Sequence, residues 1–205
     1  MNLNEFKAQP IMGILRDIDE VLIEPLIDAI VASGLKTIEI AMNTPNAANL
    51  ISKCVDIAKD KLIIGAGTVL TVDNLKSALD SGASFIVSPT LINEVLDYCV
   101  KASIPAFPGA LTPQEIYNAY KRGASMVKVF PANRFGPDYF KEIRGPFKDI
   151  PLLACGGIRP NNIKSYFDAG ASAVAFGGSI FNKEMIKNND FKSIKQAIKD
   201  LILAK

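Results

Sequence analysis

Short apolar runs alternate with amphipathic stretches along the whole of this chain, and few folds accommodate that rhythm. Strands are predicted at Ile11–Leu15, Thr37–Ala41, Leu62–Ala66, Phe85–Val87, Ala106–Pro108, Met126–Phe130, Leu152–Ala154 and Ala173–Phe176. Helices are predicted near Ile18–Ser33, Asn46–Lys59, Val72–Ser81, Ile92–Lys101, Pro113–Arg122, Asp138–Ile143, Asn161–Ala169 and Phe191–Leu203. A helix after every strand makes the strands parallel, and eight such units are the count of a (β/α)8 TIM barrel. A doubly wound sheet is the competing arrangement, but it rarely uses eight equal units in 205 residues. The expectation is therefore an α/β fold: a barrel of parallel strands with a short N-terminal helix, forming a single domain over residues 1–205.

Helix ends agree with this segmentation. Gly34, Gly82, Gly123 and Gly170 each follow an amphipathic run and precede a strand, the place of a left-handed C′ glycine. No linker, charge block or low-complexity run suggests a second domain.

Composition then removes whole classes of function. The chain has no histidine, which excludes Ser-His-Asp triads, histidine-bound zinc and imidazole acid/base catalysis. Cys54, Cys99 and Cys155 are odd in number and far apart, so neither a disulfide framework nor a zinc knuckle is expected. A formal net charge of +2 and the lack of basic runs interleaved with aromatics argue against nucleic-acid binding. With no apolar leader segment and no long uninterrupted apolar run, a cytoplasmic protein without a membrane span is expected. Neither cofactor nor metal is called for by any residue pattern.

One strand stands apart. Met126-Val127-Lys128-Val129-Phe130 places a lysine inside an apolar run, and a buried ammonium normally has a task or a partner. Alternation puts Met126, Lys128 and Phe130 on one face and Val127 and Val129 on the other. In Thr37–Ala41 the same rule turns Thr37, Glu39 and Ala41 inward while Ile38 and Ile40 meet the helices. Both strands are even-numbered, so Glu39 and Lys128 can share one layer of the barrel. Two readings follow: an ion pair that only fills space, or an amine nucleophile with a carboxylate that moves protons. On the second reading, desolvation is expected to lower the lysine pKa and free the amine near neutral pH.

Other polar residues also fall at strand ends, where barrels build their sites. Glycines after the seventh and eighth strands, Gly156-Gly157 and Gly177-Gly178-Ser179, suit a phosphate held by backbone N–H groups. Arg16 is placed either to clamp a carboxylate or phosphate or to serve as a salt-bridged loop residue. On residues alone, two further functions stay open: another phosphate-binding barrel enzyme, of the sugar-phosphate epimerase or decarboxylase type, and a sugar-phosphate binding protein without chemistry.

Taken in order, Gly13-Ile14-Leu15-Arg16, the Glu39 strand, Ile64-Gly65-Ala66-Gly67-Thr68-Val69, Phe85-Ile86-Val87-Ser88-Pro89, Pro108-Gly109, Val127-Lys128-Val129-Phe130-Pro131-Ala132, Gly156-Gly157-Ile158 and Gly177-Gly178-Ser179 form a specific series. With it the chain resembles the class I 2-keto-3-deoxy-6-phosphogluconate aldolases and their 2-keto-4-hydroxyglutarate and 2-dehydro-3-deoxy-6-phosphogalactonate relatives. The resemblance implies a homotrimeric Schiff-base lyase that cleaves a 2-keto-3-deoxy-6-phospho sugar acid to pyruvate and glyceraldehyde 3-phosphate. It implies Lys128 as the imine-forming residue and Glu39 as general acid/base. It also implies substrate contacts at Arg16, Thr68, Pro89, Phe130 and Cys155, and a phosphate pocket at Gly156, Gly157, Gly178 and Ser179. Two departures bear on the substrate epimer. Asn43 stands where gluconate enzymes often carry arginine, and with Phe135-Gly136-Pro137 it looks more like the galactonate branch. Cys155 replaces the usual threonine or valine, and a thiol behaves largely as a small hydrophobe.

Overall fold

A computed structural model describes all residues from Met1 to Lys205. Its strands are β1 (Ile11–Leu15), β2 (Thr37–Ala41), β3 (Ile63–Gly67), β4 (Ile86–Val87), β5 (Ala106–Phe107), β6 (Gly109–Ala110), β7 (Val127–Val129), β8 (Leu152–Cys155) and β9 (Ala173–Phe176). They form one parallel sheet in the order β5-β4-β3-β2-β1-β9-β8-β7-β6. Nine strands stand where eight are predicted because Pro108, which has no N–H to give to a ladder, divides the fifth barrel strand in two. The half at β5 pairs back to β4 and the half at β6 pairs forward to β7, so this one stretch joins the two edges and closes the barrel. Across the break the Lys128 N–H donates to the Pro108 carbonyl at 2.9 Å, fixing the height of Lys128 in the wall.

The helices are α1 (Leu3–Ala8), α2 (Ile23–Ser33), α3 (Ala47–Ala58), α4 (Val72–Asp80), α5 (Asn93–Lys101), α6 (Pro113–Lys121), α7 (Gly136–Arg144), α8 (Ile163–Asp168), α9 (Lys183–Lys187) and α10 (Phe191–Leu203). The four glycines assigned to helix ends all take positive φ, between +89° and +100°. At the start of α6, Thr112 and Glu115 form a reciprocal capping box with Pro113 just inside. Most element ends shift by one to three residues from the sequence reading, and two helices differ more. The helix expected from Ile18 begins at Ile23, because Asp17 adopts φ +53° and Asp19 caps a short 3-10 turn at Glu20–Leu22. The five-residue α9 is too short to show an amphipathic period of its own.

Alternation sorts the apolar residues into two cores. Ile38, Ile40, Val127 and Val129 point outward into a cluster of 51 buried residues between sheet and helices. Met12, Phe85, Val87, Phe107, Met126 and Leu153 point inward, where Phe6 of α1 joins them. Phe6 stacks on Phe107 at 5.8 Å, so the N-terminal helix closes the end of the barrel from which the strands start. Gly65 makes this floor possible, since a Cβ there would lie 2.4 Å from the Phe85 ring. No helix is long and apolar enough to cross a membrane.

Candidate active site

At the opposite end, where the strands finish, the interior turns polar and opens into a cavity of about 670 Å³. Ten of the residues singled out from the sequence converge on it: Arg16, Thr68, Pro89, Lys128, Phe130, Cys155, Gly156, Gly157, Gly178 and Ser179 line its wall. Glu39 lies beneath, with no exposed surface, and Lys128 is 6% exposed between it and the cavity. β2 and β7 project the two side chains toward each other as alternation predicts, with Lys128 Nζ 3.7 Å from Glu39 Oε1. Gly67 of β3 clears the space, because a Cβ there would stand 2.4 Å from that same oxygen.

The pair is close without being satisfied. Neither oxygen of Glu39 has a hydrogen-bond partner in the protein. Burial pushes the Glu39 carboxyl above the usual carboxylate range, against the pull of the Lys128 and Arg16 charges. Burial is the largest single influence on Lys128 and pulls the ammonium down, but Glu39 and Cys155 together outweigh it and hold the lysine above its ordinary value. This corrects the expectation of a lowered lysine pKa, which counted desolvation but not the opposing effect of a carboxylate as close as 3.7 Å. Free amine therefore arises by another route. Moving the proton from Lys128 to Glu39 yields a neutral amine and a neutral acid, which removes two buried charges at once.

Around this centre the supporting contacts are specific. Arg16 donates from Nη2 to Thr68 Oγ1 at 3.1 Å, and Thr68 is held at φ +55°. The Phe130 ring, half exposed, lies 5.8 Å from Lys128 Nζ, within cation–π reach. Cys155 is buried beside Lys128, and burial pushes its thiol up, which suits a packing role rather than a nucleophile. Asn43, by contrast, is exposed and does not line the cavity.

At the far side the glycine loops form a cradle. Gly156 and Gly157 have φ of +111° and +71°, and the backbone N–H groups of Gly156, Gly157, Gly177, Gly178 and Ser179 have no acceptor within the protein. Such a concentration of free amides favours an anion. The Ser179 hydroxyl, however, donates to the Ile158 carbonyl at 2.7 Å, so what it offers a ligand is its N–H.

Several residues here escaped the sequence reading. Asn133 packs against Gly157, where an added Cβ would meet its own Cβ at 2.7 Å, and Asn162 Nδ2 donates to the Gly157 carbonyl at 2.9 Å. Lys183 and Lys187 of α9 also line the cavity, as do Asp17 and Asp19. The lysines' i, i+4 spacing directly after Gly177-Gly178-Ser179 was the signal that could have found them. No cluster of three or more Cys, Asp or Glu side chains converges to hold a metal ion.

Barrel, amine–carboxylate pair and anion cradle together define a class: lyases that attack a carbonyl with a lysine and bind a charged substrate. The chain belongs to the KDPG and KHG aldolase family, whose profile matches residues 3–197. It is 34% identical to the 2-dehydro-3-deoxy-6-phosphogalactonate aldolase of Escherichia coli K12 over 175 residues, 84% of each chain. It is also 34% identical to the 2-dehydro-3-deoxy-phosphogluconate aldolase of Haemophilus influenzae over 202 residues, 98% of this chain and 93% of the relative. Among solved structures, the KDPG aldolase of Legionella pneumophila, with pyruvate captured at low pH as a covalent carbinolamine, superposes with a TM-score of 0.88 at 28% identity, covering 96% of this chain and 95% of that one. The chain is accordingly an aldolase of this family.

Proposed function

We propose that this enzyme cleaves a 2-keto-3-deoxy-6-phospho sugar acid, of gluconate or galactonate configuration, to pyruvate and glyceraldehyde 3-phosphate. The observation that carries this is the unsatisfied Glu39 carboxylate 3.7 Å from the Lys128 amine at the base of the cavity. A pair present only to fill the barrel would be expected to have its oxygens hydrogen-bonded, since an unpaired buried carboxylate is costly.

The chemistry follows from that geometry. Lys128 gives its proton to Glu39 and its nitrogen attacks the C2 ketone, forming a carbinolamine. Glu39 returns the proton to the departing hydroxyl, water leaves, and a protonated imine remains. As the C3–C4 bond breaks, its electron pair flows to the iminium nitrogen to give an enamine. Glu39 takes the C4 hydroxyl proton, directly or through a water, and the aldehyde is released. Protonation of the enamine at C3 and hydrolysis then free pyruvate and restore Lys128. Arg16 and Thr68 face the substrate carboxylate, Pro89, Phe130 and Cys155 enclose the reacting carbons, and the amides of Gly156, Gly157, Gly178 and Ser179 hold the phosphate.

Of the two positions that bear on the epimer, Cys155 lines the cavity and Asn43 does not. The acidic group's own route, not a depressed lysine pKa, makes the amine available. We further propose that the chain acts as one domain, as a homotrimer and in the cytoplasm. Purified protein supplied with each epimer should release one pyruvate per substrate cleaved, with the kcat/KM ratio reporting the preference. No pyruvate from either epimer would overturn the proposal.

A further inference from the structure

The cavity is more cationic at its outer rim than the proposed cleavage requires. Lys183 and Lys187 share one face of α9, and Ile186 between them also lines the cavity, so this face of the helix turns toward it. Lys183 is engaged by Asp17, 3.2 Å from its Oδ2. Lys187 has no acidic side chain within ion-pair distance. At the inner end Arg16 is likewise free of an acidic partner, and its charge bears on Glu39, Lys128 and Cys155, whereas neither α9 lysine is among the groups that act on those three. The cavity thus holds one unpaired cation whose charge bears on Lys128 and another, on α9, that lines the same cavity as the glycine loops without acting on Lys128.

The five free amides of those loops carry only partial charge, and the Ser179 hydroxyl is already committed to Ile158. A phosphate dianion there is left with one available full positive charge, Lys187. We propose that Lys187 is the residue that reads a doubly charged terminal phosphate, giving this enzyme a preference for phosphorylated 2-keto sugar acids over shorter 2-keto-4-hydroxy dicarboxylates. The inference rests on the cleavage proposed above. A dicarboxylate of five carbons that satisfies Arg16 leaves Lys187 unused, while a six-carbon chain can span both.

The test is a kinetic comparison of wild type, Lys187→Gln and Lys187→Arg on a 2-keto-3-deoxy-6-phospho acid and on 2-keto-4-hydroxyglutarate. For the phosphorylated substrate, Lys187→Gln should raise KM about tenfold and leave kcat within about twofold, a charge-assisted contact being lost without touching the reacting atoms. For the dicarboxylate, kcat/KM should change by less than about twofold, and Lys187→Arg should restore the phosphorylated KM. In wild type that KM should fall between pH 5 and 7 as the phosphate loses its second proton near pH 6, and Lys187→Gln should flatten the fall. An unchanged substrate ratio in Lys187→Gln, or a wild type that favours the dicarboxylate, overturns the inference while Lys128 is still trapped by pyruvate. Failure of pyruvate to trap Lys128 in wild type overturns the inference and the cleavage reading together.

Discussion

The two ends of this barrel are made from the same strands under opposite rules. At the floor, Phe6, Phe85 and Phe107 meet ring to ring at 5.7–5.8 Å, and Gly65 yields its side-chain volume to Phe85. At the mouth, Gly67, two residues further along the same strand, yields its volume to a carboxylate whose oxygens find no hydrogen bond. One glycine serves packing and the other serves a group that packing alone would reject. The floor stabilises the fold, and the mouth is where that stability is spent on chemistry.

Substitutions can break this contrast. The largest effect is expected for Lys128→Met, which should abolish cleavage by at least about 10⁴-fold while the protein still unfolds cooperatively, since an apolar side chain suits a buried site. Activity within about tenfold of wild type would remove Lys128 from the mechanism. Next, Glu39→Gln should slow cleavage by on the order of 10²–10⁴-fold, with pyruvate adduct formation still measurable. Wild-type turnover there would show that protons travel another way.

The glycines sharpen the comparison. Gly67→Ala should displace the Glu39 carboxylate and lower kcat by about 10²-fold, as misplacement of a reacting group by about 1 Å does. Gly65→Ala should instead cost about 1–3 kcal/mol of unfolding free energy by overpacking against Phe85, with kcat little changed in the folded fraction. Equal effects of the two on stability, measured by denaturant unfolding, would erase the distinction between floor and mouth.

The smallest shift concerns pH. Glu39 and Cys155 together hold Lys128 above the ordinary lysine value, so in wild type most of the resting enzyme's amine should stay protonated until the pH is alkaline. In Glu39→Gln the carboxylate's upward push is gone while burial still pulls downward, so the midpoint should move to lower pH. Modification rate of Lys128 by an amine-selective reagent against pH reads this directly, and an upward or absent shift would contradict the electrostatic account. Linkage has the same sign. The stability that the pair gives through Lys128 is full below the lysine's unfolded value and is lost as pH rises through its raised folded value.

Much of this was legible in the sequence because the signals were periodic. Period-2 alternation placed Glu39 and Lys128 inward and Val127 and Val129 outward, and helix-stop glycines marked the repeating units. What escaped was set by distance or by very short elements. The direction of the Lys128 shift depended on a separation of 3.7 Å, which no pattern encodes. Pro108 hid a division of one strand into two pairing partners, and α9 was too short to announce Lys183 and Lys187 as cavity residues. Asn43, two residues past the end of β2, is exposed and lies outside the residues that line the cavity, a placement that strand alternation does not specify.

The central claim is that the Lys128 amine attacks a 2-keto group. Incubation with pyruvate and borohydride, followed by peptide mass mapping, tests it most directly. The account predicts a single three-carbon adduct on Lys128, absent in Lys128→Met. An adduct confined to another lysine, or none at all, would contradict it.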